Sequence, residues 1–138
     1  TLNPKNIEAY GLRAIIYASY NDSEYLLNAI RDLNKVVELD PNHKGIYGIR
    51  GSVYARLGKY KNAIADLNNE IGYGSNGAIF YYYRGLSYAN LGHDQQAFND
   101  FKVAVKLGDK SALKTLKKAA KLGHNDAQDF LRSQGIGW

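Results

Sequence analysis

The sequence predicts an all-α protein: a stack of helix-turn-helix units closed at its C-terminal end by a two-helix cap. Three observations predict it. The stretch Tyr47 to Leu67, YGIRGSVYARLGKYKNAIADL, returns 34 residues later as Tyr81 to Phe101, YYYRGLSYANLGHDQQAFNDF, and more loosely earlier at Tyr10 to Leu33. Within each copy the apolar and small residues fall at helical spacing, as in Tyr47, Arg50, Gly51 and Tyr54 at i, i+3, i+4 and i+7. A Leu-Gly pair, Leu57-Gly58 or Leu91-Gly92, then breaks the pattern before a second helical run. A fixed period of this length marks units that cannot bury their apolar faces alone and stack on their neighbours.

Taken in order, the pattern predicts helices over 5–20 and 23–39 in the first unit, 43–57 and 60–71 in the second, and 77–91 and 94–107 in the third. Asn3 is expected to cap the first helix with Pro4 at its opening position, where the missing N–H costs nothing. The interval from Arg13 to Ala29 is three residues longer than Arg50 to Ala63 or Arg84 to Ala97, which predicts a surface bulge at Asn21 to Tyr25. After Leu107-Gly108 the repeat text stops. Ser111 to Leu122 reads as an amphipathic helix, with Leu113, Leu116 and Ala120 on one side and lysines on the other. Gly123 ends it, and a short last helix follows from Asn125 or Asp126 to Arg132. The expected organisation is one α-solenoid domain over 1–138, with repeats at 5–41, 42–75 and 76–109, capping helices at 110–134, and a tail at 135–138 whose Trp138 folds back onto the cap. Thr1-Leu2-Asn3-Pro4 resembles Glu38-Leu39-Asp40-Pro41, the tail of the first unit, so further repeats upstream are expected.

The 138 residues include 45% hydrophobic and 22% charged side chains, ordinary for a soluble globular protein. No apolar run approaches the roughly 18 residues of a membrane span, and no basic-then-apolar leader opens the chain. A soluble protein is expected, its compartment unread. With no cysteine, disulfides, thiol catalysis and zinc–thiolate sites are excluded. The net charge of +5 is local, since seven lysines against the single Asp109 lie between Lys102 and Lys121.

The recurring residues resemble the tetratricopeptide repeat, whose signature runs W-x₂-L-G-x₂-Y…A-x₃-F…P. The second unit meets it with Tyr47, Arg50, Gly51, Tyr54, Ala63 and Leu67. The third does so with Tyr81, Arg84, Gly85, Tyr88, Ala97 and Phe101. The first supplies Tyr10, Arg13, Ala14, Tyr17, Ala29, Leu33 and the matching Pro41. Tyr replaces Trp, Arg replaces Leu, and Ser75 and Asp109 stand where two prolines would be. The resemblance implies antiparallel helix pairs stacked into a right-handed superhelix, with a concave groove lined by the first helix of each pair.

Arginine on a buried helix face is costly unless a carboxylate meets it. Arg13 with Asp32, Arg50 with Asp66, and Arg84 with Asp100 occupy corresponding places and are expected to form one bridge inside each hairpin. No catalytic constellation accompanies them. His43, His93 and His124 each fall in a turn without a second metal ligand at helical spacing, and Gly72, Gly74 and Gly77 lack the strand and Lys-Ser/Thr of a phosphate loop. An enzyme is not expected, nor a cofactor or metal.

The expected function is that of a non-catalytic scaffold binding a peptide or protein segment in the groove. Its lining is read as Ile15 and Ser19 in the first unit, Ser52 and Arg56 in the second, and Tyr82, Tyr83, Leu86 and Asn90 in the third, with Gly11 and Gly48 on the same stripe. A second reading takes Lys110, Lys114, Lys117, Lys118 and Lys121 as a basic patch contacting nucleic acid or an anionic surface. A third takes the chain as the C-terminal structural portion of a longer solenoid. An acidic protein is a further partner for the lysines.

Overall fold

The structure is a computed structural model that describes residues 3–138. Its described residues form eight helices and no strand: α1 (Ile7–Ala18), α2 (Ser23–Leu39), α3 (Ile46–Arg56), α4 (Tyr60–Gly72), α5 (Ala78–Asn90), α6 (Asp94–Lys106), α7 (Lys110–Lys121) and α8 (Asn125–Ser133). They pair as hairpins α1–α2, α3–α4, α5–α6 and α7–α8, and fall into two compact units divided after Ser75. In the first unit α2 also packs on α3, and in the second α6 packs on α7.

The observed helices start and stop within a few residues of the expected ones, with two corrections. Asn3 does not cap α1. Its side chain instead accepts from the Lys5 N–H, and Asn6 is the cap, accepting from the Ala9 N–H at 3.0 Å. Likewise, the three additional residues near Asn21 do not bulge. They lengthen α2 at its start, which lies six residues before Ala29, whereas α4 and α6 start three residues before Ala63 and Ala97. Asp22 caps this longer helix through the Glu24 N–H, and Tyr25 on its first turn stacks against Tyr20 with ring centroids 4.7 Å apart. A helix extended by one capped turn satisfies its own backbone, which a bulge would not. The matching of Thr1 and Leu2 to the end of a repeat lies outside the described residues.

Helix endings follow one device. Gly58 and Gly92 take positive φ (77° and 81°), and the N–H of the following residue, Lys59 or His93, reaches back to the carbonyl of Tyr54 or Tyr88 at 2.9 Å. This closes orphan carbonyls where an L side chain would be strained. The same ending recurs at Gly108 and Gly123, before caps supplied by Asp109 to Ala112 and His124 to Ala127.

Each of the first three hairpins is held by an arginine and an aspartate across the helix pair. Arg50 donates through Nε and Nη2 to Asp66 at 2.7 and 2.8 Å, Arg13 to Asp32 at 2.7 and 2.7 Å, and Arg84 to Asp100 at 2.8 and 2.7 Å. The aspartates are buried. The two-pronged geometry satisfies both carboxylate oxygens, the condition under which a buried pair is tolerated. Each guanidinium also lies near tyrosine rings on its own helix: Arg13 between Tyr10 and Tyr17, Arg50 between Tyr47 and Tyr54, Arg84 over Tyr81, at 5.5–5.8 Å. The spacing Tyr-x-x-Arg-small-x-x-Tyr is thus a cation held among aromatic faces. Hydrogen bonds donated to Asp66 hold the Arg50 guanidinium above its ordinary pKa, against the opposing effect of burial; Arg84 shifts the same way beside Asp100.

Next to each arginine stands a small residue at the crossing. A Cβ on Gly51 would lie 2.8 Å from Leu67 Cγ, and one on Gly85 would lie 2.9 Å from Phe101 Cε1. Ala14 fills the place in the first hairpin and is fully buried. The core of the first unit gathers around Leu26, Leu33, Val36 and Val53, with Tyr17 and Tyr54 packed on it. That of the second unit gathers around Phe101, Leu116, Phe130 and Leu131, with Tyr88 packed on it.

Two predictions follow the crossing. Gly51→Ala should lower stability by about 1–3 kcal/mol through overpacking, despite alanine's better helix propensity, whereas Gly11→Ala, with nothing within 4 Å of the new Cβ, should raise it by about 0.5–1 kcal/mol. Urea unfolding of the two variants measures both signs. Arg50→Leu should cost about 3 kcal/mol by stranding Asp66, and Arg50→Leu with Asp66→Leu should recover most of it, because an apolar pair leaves no buried charge. The matching change at Arg13 should cost less, since that side chain is 41% exposed against 16% for Arg50.

Candidate interaction surfaces

In the first unit, Ile15 on α1 and Ser19 at its C-cap lie exposed, beside the likewise exposed Leu12 and Ile16. Three large aliphatic side chains are thus uncovered within two turns of one helix. Ser52 turns its hydroxyl onto its own helix, donating to the Gly48 carbonyl at 2.8 Å. Arg56 has a structural tie: its guanidinium donates to the carbonyls of Ala18 at 2.7 Å and Tyr20 at 3.3 Å, so α3 closes the C-terminal end of α1. A cation there satisfies orphan carbonyls and complements the helix dipole. Gly48 does not belong to a surface stripe. It is buried, and its N–H donates to Glu70 Oε1 at 3.0 Å.

Glu70 is a residue the sequence reading missed. The N-terminus of α3 follows Gly45, which has no side chain to cap with, and the carboxylate from α4 supplies the acceptor instead. Asn34 was missed too; it accepts from Arg50 at 3.1 Å and links α2 to α3. Neither left a signal in the sequence, since the burial of Glu70 and the reach of Arg50 to Asn34 appear only in the fold.

In the second unit, Tyr82, Tyr83, Leu86 and Asn90 lie along α5. Tyr82 leans onto the core, its ring 6.0 Å from Phe101, and burial pushes its hydroxyl above the ordinary tyrosine pKa. Tyr83 stands edge-on to Tyr82 at 5.3 Å and, with Leu86, is half-buried. Asn90 is exposed and donates back to the Leu86 carbonyl at 2.8 Å.

The five lysines form one row. Lys110, Lys114, Lys117, Lys118 and Lys121, with Leu113, line a shallow depression of about 430 Å³ along α7. None of the five forms an ion pair among the described residues. Lys102 and Lys106 on α6 differ, standing over the rings of Phe98 and Phe130 at 4.8 and 6.0 Å. Helix α7 carries no acidic side chain, so lysines meet lysines at i+4 (110 with 114, 114 with 118, 117 with 121) and at i+3 (114 with 117, 118 with 121). Each such pair costs about 0.2–0.5 kcal/mol. The helix dipole favours Lys118 and Lys121 in the last turn but opposes Lys110 at the first position.

Among the described residues no group of three or more His, Cys, Asp or Glu is placed to hold a metal ion, and no helix is long and apolar enough to cross a membrane. The histidines sit in turns, as expected. His124 accepts from the Ala127 N–H, His93 lies edge-on to Tyr88, and His43 is 3.4 Å from Asp40.

Helix pairs that recur along the sequence, with a small residue at the crossing of each of the first three, define a helical-repeat protein. Residues 45–69 match the family model described as a tetratricopeptide repeat. The whole fold is that of a tetratricopeptide-repeat domain. It is similar to the NMR structure of the first TPR domain of the human RPAP3 protein, with a TM-score of 0.69 at 19% identity, covering 99% of this chain and 100% of that one. No curated protein matches the sequence.

The lysine row generates a stability prediction. Lys114→Glu removes repulsion with Lys110, Lys117 and Lys118 and replaces it with attraction, so stability should rise by about 0.5–1 kcal/mol, read from the urea midpoint at low salt and diminishing at high salt.

Proposed function

We propose that this chain binds a protein segment, with Tyr83 and Leu86 of α5 as apolar contacts and Asn90 as a polar neighbour. The observation that carries this reading is a division of labour along the first helices. Positions that recur from repeat to repeat, namely the arginine, the small residue and the flanking tyrosines, are consumed in holding each hairpin together. Among the positions that change between repeats, those left for contact are Ile15 on α1 with Ser19 at its C-cap, and Tyr83, Leu86 and Asn90 on α5. Aromatic and aliphatic side chains with a single polar neighbour favour an extended or helical segment that inserts an apolar side chain. The exposed Leu12, Ile15 and Ile16 add an apolar patch of the kind that marks protein contact. Ser52, Arg56 and Tyr82 act chiefly within the fold, so their part in contact is secondary.

The test is affinity capture followed by titration of the captured partner. Tyr83→Ala with Leu86→Ala should weaken binding at least tenfold with the melting curve unchanged. Arg50→Leu should leave affinity intact at temperatures where that variant stays folded. A variant that keeps its fold but loses the partner on changing Arg50 alone would overturn the reading.

A further inference from the structure

The lysine row of α7 is a surface whose arrangement the hairpin does not need. The opposite side of α7, with Ala112, Leu116 and Ala120, is buried in the core of the second unit and accounts for the packing of the helix. No carboxylate meets the lysine side, like charges crowd it from the first position to the last, and the helix dipole favours only Lys118 and Lys121 of the five. A face that only needs to be wet is satisfied by mixed signs, as on α2, where Lys35 and Glu38 pair at i+3. Here the sign is single over 12 residues, about 18 Å of helix.

We propose that this row docks an acidic amphipathic polypeptide segment, carboxylates along the lysines and one apolar side chain over Leu113. The inference rests on the reading of the chain as a protein-binding module but places contact on a different helix. Charge complementarity sets the sign of the partner. The depression sets the rest: its lining is Leu113 and the methylene stems of five lysines, an aliphatic floor under a cationic rim. A polyanion without apolar groups leaves that floor uncovered, whereas a segment alternating acidic and aliphatic residues covers both. Nucleic acid fits less well. Single strands are held by aromatic stacking, and the row has no aromatic side chain; phosphate is gripped best by the forked donors of arginine, and the row has only lysine.

The full chain is titrated with three probes of equal length: a peptide repeating Glu-Glu-Leu-Glu, the same peptide with serine for leucine, and a single-stranded deoxythymidine oligomer. The leucine peptide should bind, at least tenfold tighter than the serine peptide and tighter than the oligomer, with affinity falling as salt rises. The variant Lys114→Gln, Lys117→Gln, Lys118→Gln should lose at least tenfold while its helicity and melting temperature hold or rise, since like charges have been removed. Equal binding of the two peptides, tighter binding of the oligomer, or indifference to the triple substitution would overturn the inference. None of those outcomes touches a partner released by Tyr83→Ala with Leu86→Ala, so the α5 reading stands or falls separately.

Discussion

A guanidinium held by a buried carboxylate across two helices is the constraint on which each of the first three hairpins depends. The bond is directional where apolar packing is not. Two parallel N–H donors and two oxygens admit one rotation and one slide of the helices, so the pair fixes register as well as adding attraction. It also explains its neighbours. Tyrosines three residues before and four residues after Arg13 and Arg50 bring the negative faces of their rings to the cation. The glycine after Arg50 lets the helices approach closely enough for its side chain to reach Asp66. Four kinds of residue recur together because one contact requires all of them.

Much of this was legible in the sequence for that reason. The Arg–Asp correspondence, the small residue beside it and the Leu-Gly breaks each recur at fixed places, and recurrence turns a weak local signal into a strong one. The lone features were harder. Asn6 and Asn3 are equally good caps by residue type, and only the turn from Asn3 to Asn6 decides between them. The added residues near Asn21 were ambiguous between bulge and longer helix, and the stacking of Tyr25 on Tyr20 favours the helix.

The contact residues divide in the same way. Helical spacing places Ser52 and Arg56 on one face of α3, but it does not register that Arg56 reaches the end of α1 nearly forty positions earlier in the chain. Nor does it reveal that Gly48 holds Glu70, because a backbone N–H has no side-chain signature. Long polar side chains find partners in neighbouring helices, and a stripe drawn from one helix alone overstates what is left for a guest. The lysine row escapes this limit: all its members lie on a single helix, and repulsion among them follows from spacing without knowledge of the fold.

The last residue offers an optical handle. Trp138 is the single tryptophan in a chain with twelve tyrosines, and its ring lies 5.3 Å from the Arg132 guanidinium on α8. Its emission therefore reports the attachment of the terminal segment, while far-ultraviolet circular dichroism averages over every helix. If ends loosen before centres, the fluorescence transition precedes the dichroic one along a denaturant series, and the gap between the two midpoints measures how independently the closing helix lets go.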